Sequence, residues 1–134
     1  MLRCLIVDDS PRFLDAACGL LEREGVAVVG VASTSAEALQ GVEELRPDVT
    51  LVDIDLGGES GFELARQIHG KASRAPSRVV LISTHAEVDY ADLIAASPAV
   101  GFVSKAALSA SAIRDLLGRR GDGQASGSGQ RASR

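Results

Sequence analysis

The stretch that decides the fold is residues 4–10, which read Cys-Leu-Ile-Val-Asp-Asp-Ser. Its four leading residues are apolar without interruption, the pattern of a strand that is covered on both faces of a sheet. Asp8 and Asp9 follow directly, and Ser10 with Pro11 has the form of a helix N-cap and first helical residue. The stretch therefore predicts a buried strand that delivers two carboxylates to the start of a helix.

Four further apolar runs follow, separated by segments with helical periodicity. The five runs are residues 4–7, 26–32, 49–52, 79–82 and 100–103. Capping-box patterns at Thr34, Ser60 and Thr84 predict the starts of three helices, and a last helix is expected from about Ala106 to Gly118. Five successive strand–helix units predict an α/β fold with a five-stranded parallel sheet, doubly wound as (βα)5.

Composition limits the function classes. The 134 residues suit one domain, and the net charge of −4, with both signs dispersed, indicates neither a nucleic-acid nor a membrane partner. No apolar run approaches the roughly 20 residues of a membrane span, and no signal peptide precedes the first strand. Cys4 and Cys18 have no ligand residues nearby and are expected to be free thiols. A cytoplasmic protein is therefore predicted.

The C-terminal segment differs from the rest of the chain. From residue 121 to residue 134 the sequence contains no large apolar side chain and is dominated by Gly, Ser, Gln and Arg. Such a segment cannot offset the entropy cost of ordering. We expect one domain over residues 1–120 and a disordered Gly/Ser/Arg tail over residues 121–134, with no room for a DNA-binding output domain.

Polar side chains follow four of the five apolar runs. Asp8 and Asp9 come after the first run, Asp53 after the third, Ser83 after the fourth and Lys105 shortly after the fifth. Ligands of doubly wound sheets bind beyond the carboxyl ends of the strands, where these residues meet. Clustered carboxylates favour Mg²⁺, and an ammonium and a hydroxyl beside them can hold a phosphoryl group. Each residue alone is usually a turn, cap or surface residue; the combination predicts a phosphoryl-transfer site in which a carboxylate can be the nucleophile.

The sequence resembles the receiver domain of bacterial response regulators over residues 2–119. The matching segments are residues 5–10, 51–54, 81–84 and 101–105. This resemblance implies a flavodoxin-like receiver fold without enzymatic activity of its own. It also implies that a sensor histidine kinase or a phosphotransfer protein phosphorylates Asp53.

The resemblance also implies roles for individual residues. Asp9 and Asp53 would bind Mg²⁺ through their side chains, Asp55 through its backbone carbonyl, and Asp8 through water. Ser83 and Lys105 would contact the phosphoryl oxygens.

Output is implied in the same way. Phe102 occupies the position of the family's aromatic switch residue, and its movement is expected to change a surface around Tyr90, Leu93 and Leu108. The signal would pass to an unknown downstream protein. The chain itself is expected to be a monomer or a weak, phosphorylation-dependent dimer.

Several residues depart from the family pattern. Gly57 stands where the family usually has proline, which predicts a looser loop, and Thr84 is larger than usual. Asp55 and His85 occupy two variable positions that, in this family, tune the loss of the phosphate.

Two alternative functions stay open. One is a pseudo-receiver that acts as a phosphorylation-independent interaction module, against which the intact acidic residues argue. The other is a small hydrolase or flavin-type protein, but the sequence has no Gly-rich phosphate loop and no nucleophile–His pair. His69 and His85 are interpreted as surface residues.

Overall fold

A computed structural model describes residues 1–71 and 77–122 of the chain, so most of the predicted tail lies outside the described residues. The elements are, in chain order, β1 (Arg3–Val7), α1 (Pro11–Arg23), β2 (Ala27–Ala32), α2 (Ser35–Leu45), β3 (Val49–Asp53), β4 (Asp55–Leu56), β5 (Glu59–Ser60), α3 (Gly61–Lys71), β6 (Arg78–Ser83), α4 (Ala91–Ala96), β7 (Gly101–Ser104) and α5 (Ala110–Asp122). Two 3-10 turns, Glu87–Tyr90 and Lys105–Ala107, precede α4 and α5.

Five strands form one parallel sheet in the order β2-β1-β3-β6-β7, which confirms the predicted fold class. In the register of the central strands, Asp53 pairs with Ile82 and Ser83 pairs with Ser104. The carboxyl ends of β1, β3, β6 and β7 therefore lie side by side. This arrangement brings the residues that follow these strands to one edge.

The core consists of two layers, one on each face of the sheet. Cys4 and Ile6 of β1 pack in the layer under α1 and α5, whereas Leu5 and Val7 pack in the layer under α2 and α3. All four side chains are at most 1% exposed, as the uninterrupted apolar run predicts. Burial raises the pKa of the Cys4 thiol to about 12, so at neutral pH this group is an uncharged packing residue.

Three of the predicted helix starts are confirmed. The Ser10 hydroxyl accepts a hydrogen bond from the Phe13 backbone N–H at 3.2 Å. The Thr34 hydroxyl does the same at the start of α2 (3.1 Å), and the Ser60 hydroxyl at the start of α3 (3.3 Å). Each bond satisfies a backbone donor that the first helical turn leaves free.

The helix start predicted at Thr84 is wrong, because α4 begins only at Ala91. A 3-10 turn occupies its first part, α4 has only 6 residues, and neither is capped by a side chain. The Ser83 hydroxyl instead accepts the His85 backbone N–H at 2.9 Å, a local turn that competes with helix formation. Val88 is 77% exposed, so little apolar burial is available to extend the helix.

The last helix also begins later than predicted, at Ala110 instead of Ala106, and it extends beyond Gly118. The Ala110 backbone N–H donates to the Glu24 carboxylate at 2.6 Å, a contact from the end of α1 that local sequence does not reveal. Leu108, which precedes the helix, is only 7% exposed, so it is not part of the surface where it was expected. Within the described ranges, no helix is both long enough and apolar enough to cross a membrane.

Candidate functional site: an acidic cluster with a buried lysine

The Lys105 ammonium lies between two buried carboxylates. Its Nζ is 2.6 Å from Asp8 Oδ2 and 3.0 Å from Asp53 Oδ2. Asp8 is fully buried, Asp53 is 6% exposed, and the Lys105 side chain is 14% exposed. Ion pairs that are largely removed from water interact more strongly than exposed pairs, and the chain holds both acids at fixed positions.

Backbone groups orient both carboxylates. Asp8 Oδ1 accepts the Ser10 N–H at 2.8 Å, and Asp53 Oδ1 accepts the Asp55 N–H at 3.0 Å. Each acid therefore presents its Oδ2 atom to Lys105. The turns that follow β1 and β3 thus position both acids.

Asp9 completes an acidic cluster with these two residues. One oxygen from each of Asp8, Asp9 and Asp53 lies within 4.8 Å of the others, and Asp9 is exposed to solvent. The buried Asp8 Oδ2 atom forms an ion pair with Lys105 Nζ at 2.6 Å, but within the described residues no donor meets it with hydrogen-bond geometry. A buried anionic oxygen without a hydrogen bond, beside two more carboxylates, fits a hard divalent cation such as Mg²⁺.

The pKa values of the central pair are displaced from their ordinary range. Burial raises the pKa of Asp53, and the hydrogen bonds from Asp55 and Lys105 only partly oppose this effect. Burial acts to lower the pKa of Lys105, but its contacts with Asp8 and Asp53 together outweigh burial and raise the pKa. Lys105 therefore stays positively charged at neutral pH.

Ser83 lies at the same edge with its side chain only 2% exposed. Its hydroxyl oxygen accepts the His85 N–H and is 3.4 Å from His85 Nδ1. The His85 ring is exposed and meets the Tyr90 ring edge to face, with 5.8 Å between centroids. The predicted surface position of His85 is confirmed, and its ring lies beside the site.

Phe102 is 9% exposed and packs in the core layer that also contacts Tyr90. A groove of about 530 Å³ lies next to its ring, and Glu87, Asp115 and Leu116 contribute to the walls. Leu93 of α4 is 53% exposed. The structure therefore places Phe102 inside the protein, at the border of a groove that opens to solvent.

The loop after Asp53 forms a short hairpin. Strands β4 and β5 form an antiparallel hairpin, and Gly57 and Gly58 at its tip have φ angles of 55° and 100°. Positive φ at both positions is the requirement of a tight type I′ turn, so a Gly-Gly pair between short strands was the available signal. A Cβ atom on Gly57 would come within 2.7 Å of Asp9 Oδ2, so the hairpin packs on the acidic cluster.

Two contacts of the site were not predicted from the sequence. The ring centroid of Phe13 lies 4.4 Å from Lys105 Nζ, within the range of a cation–π interaction. Glu59 of the hairpin accepts the Ser35 N–H at the start of α2, at 2.9 Å. Both contacts join residues far apart in the chain, and neither has a local sequence signal.

Comparison with known proteins identifies the family that has this fold and an acidic cluster at the carboxyl edge of its sheet. The response regulator receiver domain family matches residues 4–117, and the chain therefore belongs to this family. It is the receiver domain of a two-component response regulator.

Three similar proteins illustrate the match. The uncharacterized transcriptional regulatory protein YvfU of Bacillus subtilis is 31% identical over 106 residues, which cover 78% of this chain and 52% of that protein. The signal receiver domain of Mycobacterium tuberculosis NarL has a TM-score of 0.76 at 30% identity, covering 88% of this chain and 98% of that domain. A response regulator of Burkholderia pseudomallei has a TM-score of 0.74 at 25% identity, and the match covers 90% of this chain and 69% of that chain. Its structure was solved with a phosphorylated aspartic acid, a calcium ion and citrate.

Length separates this chain from its curated relatives. The matched part of the chain spans 50% of the length of a putative transcriptional regulator of Pseudomonas aeruginosa and 52% of the length of YvfU.

Proposed function

We propose that this receiver domain accepts a phosphoryl group on Asp53 with Mg²⁺ as cofactor, and that it signals through protein–protein contacts. The observation that carries the proposal is the convergence of Asp8, Asp9 and Asp53 within 4.8 Å, with Lys105 forming ion pairs with Asp8 and Asp53. The phosphorylated aspartic acid and the cation in the similar Burkholderia pseudomallei protein support this interpretation.

Phosphoryl transfer at this edge would replace one bond to phosphorus with another. A carboxylate oxygen of Asp53 forms the new oxygen–phosphorus bond, and the bond between phosphorus and the donor breaks, so the leaving group keeps the electron pair. Lys105 supplies positive charge to the phosphoryl oxygens, and the Ser83 hydroxyl donates a hydrogen bond to one of them. The backbone N–H of Asp55 keeps the Asp53 carboxylate oriented.

Asp9 and Asp53 would hold the metal ion with their side chains, Asp55 with its backbone carbonyl, and Asp8 through a water molecule. When bound, Mg²⁺ supplies charge that offsets the repulsion between these carboxylates and an incoming phosphate. The oxygen donors and the buried Asp8 Oδ2 atom without a hydrogen bond suit this ion.

The donor that we propose is a histidine kinase or a phosphotransfer protein, which is the partner that the family implies. We place this exchange in the cytoplasm, where the free thiols of Cys4 and Cys18 would stay reduced. For the output, we propose that a partner protein contacts the groove beside Phe102. The receiver domain itself acts as a switch and not as an enzyme.

The test of the acceptor is phosphorylation by a small donor such as phosphoramidate in the presence of Mg²⁺. We expect mass spectrometry to show one added phosphoryl group, and Asp53→Asn to abolish it because an amide is not a nucleophile for phosphorus. Asp48→Asn is the matched control, since Asp48 is an exposed acid that precedes the same strand. Labelling of Asp53→Asn at the wild-type level would contradict the assignment. A wild-type protein that is never labelled would favour the pseudo-receiver.

The test of the metal ligands is a thermal melt with and without Mg²⁺. A ligand that binds only the folded state at about 100 times its dissociation constant stabilises it by about 2.7 kcal/mol. We expect this gain in the wild type and a clearly smaller gain in Asp9→Ala. Without metal, Asp9→Ala should melt no lower than the wild type, because one of three clustered negative charges is removed.

Asp15→Ala is the control for charge, because Asp15 is an exposed acid of α1 outside the cluster. Its response to Mg²⁺ should match that of the wild type. An Asp9→Ala protein that gains as much from Mg²⁺ as the wild type would show that Asp9 is not a ligand.

A further inference from the structure

Among the described residues, two carboxylates and one aromatic ring approach the Lys105 ammonium closely. Asp8 and Asp53 each face the ammonium through a carboxylate oxygen, at 2.6 and 3.0 Å. The third neighbour is the aromatic ring of Phe13, at 4.4 Å from Nζ to the ring centroid. An ammonium has three N–H donors, and Lys105 uses one of them in its hydrogen bond to Asp53 Oδ2, so an N–H remains for the face of the ring.

Asp8, Asp53 and Phe13 differ in the interactions that they make besides their contact with Lys105. In the proposed function, which this inference deepens and on which it rests, both carboxylates also serve the metal ion and the phosphoryl group. The ring of Phe13 has no second charged group assigned to it. It is therefore the contact of Lys105 that remains when the two carboxylates are engaged elsewhere.

The helix and the core both hold Phe13 in position. Phe13 lies in the first turn of α1, where its backbone N–H is bonded to the Ser10 hydroxyl. Its ring is half-buried against the core layer between the sheet and α1. A half-buried ring limits the access of water to the ammonium, which strengthens the attraction between charge and ring.

We propose that Phe13 is a positioning residue for the reaction. Its ring holds the Lys105 ammonium at the phosphoryl site when Asp8 and Asp53 interact with the metal ion and the phosphoryl group. Phe13 touches neither the acceptor nor the phosphoryl group in this proposal. It acts only through Lys105.

The sequence offers a direct spectroscopic test, because it contains only two lysines, Lys71 and Lys105. Protein labelled with ¹³C-lysine therefore gives two sets of side-chain signals, which Lys105→Ala assigns. We expect the Lys105 Hε protons to be shifted upfield by the ring, and the shift to persist when Mg²⁺ is added. It should disappear in Phe13→Leu and remain in Phe13→Tyr.

The kinetic test is a double-mutant cycle with Lys105→Ala, measured as the rate of phosphorylation by phosphoramidate. A cation–π contact of about 0.5–2 kcal/mol corresponds to a roughly 2- to 30-fold slower reaction in Phe13→Leu. Phe13→Tyr should stay near the wild type. In the Lys105→Ala background, Phe13→Leu should have no further effect, because the group on which the ring acts is gone.

The matched control is Leu20→Ala, which removes a partly buried apolar side chain of the same helix that packs against the same core layer. It should lower stability without slowing phosphorylation. Equal slowing by Phe13→Leu with and without Lys105, or a Lys105 signal without an upfield shift in the wild type, would overturn the proposal. A wild type that is not phosphorylated would reject the proposed function instead, and the lysine signals would still decide whether the ring holds the ammonium.

Discussion

Helices α1 and α4 each follow a strand whose end carries site residues, and the protein secures the two helices differently. Helix α1 has 13 residues, a serine N-cap and three buried side chains, which are Leu14, Ala17 and Leu21. Helix α4 has 6 residues, no side-chain cap and no buried residue, and a 3-10 turn connects it to β6.

The difference in packing between α1 and α4 corresponds to the site residues that lie beside each helix. The α1 side of the site contains Asp8, Asp9 and the Phe13 ring that faces Lys105. In the proposed function the two acids bind or support the metal ion and the ring positions Lys105, and each of these roles requires a fixed position. The α4 side follows Ser83, whose hydroxyl is bonded to the next turn of the chain. Segments with little apolar burial open at low free-energy cost. The structure therefore combines a rigid acidic half with a weakly held segment next to the proposed output groove.

Core truncation in the two helices should give the largest contrast. Leu21→Ala should lower the free energy of unfolding by about 2–5 kcal/mol, because the side chain is fully buried and its loss leaves a cavity. Leu93→Ala in α4 should change it by no more than about 0.5 kcal/mol, since that side chain is 53% exposed. Urea unfolding measures both. Equal losses would mean that α4 is as firmly packed as α1.

A smaller contrast is expected at the two helix starts. Ser10→Ala removes a hydrogen bond to the Phe13 N–H and should cost about 1 kcal/mol. Thr84→Ala should cost less than about 0.5 kcal/mol, because Thr84 is exposed and caps neither the 3-10 turn nor α4. Thermal melts of the two variants measure the contribution of each residue to stability, and so compare the cap observed at Ser10 with the capping box predicted at Thr84. A loss in Thr84→Ala as large as that in Ser10→Ala would restore the predicted box.

The two capping patterns show where local sequence is sufficient. Ser10, Thr34 and Ser60 cap helices that also bury an apolar face, so local pattern and tertiary packing agree. Thr84 has the same local pattern, but the segment after it buries no side chain, and the hydroxyl of Ser83 takes the first free backbone N–H. A cap signal stabilises a helix by about 1 kcal/mol, which does not replace missing packing.

The parallel sheet and the residues at its edge follow from the amino-acid pattern alone. Uninterrupted apolar runs require burial on both faces, and parallel strands bring their carboxyl ends together, so Asp8, Asp53, Ser83 and Lys105 had to be neighbours. The contacts that hold these neighbours in place depend on the folded arrangement of distant segments. The ring of Phe13 at Lys105 and the carboxylate of Glu24 at the start of α5 join positions 92 and 86 residues apart. Such contacts depend on the distance and direction of side chains across the folded core, and no periodicity along the chain encodes them.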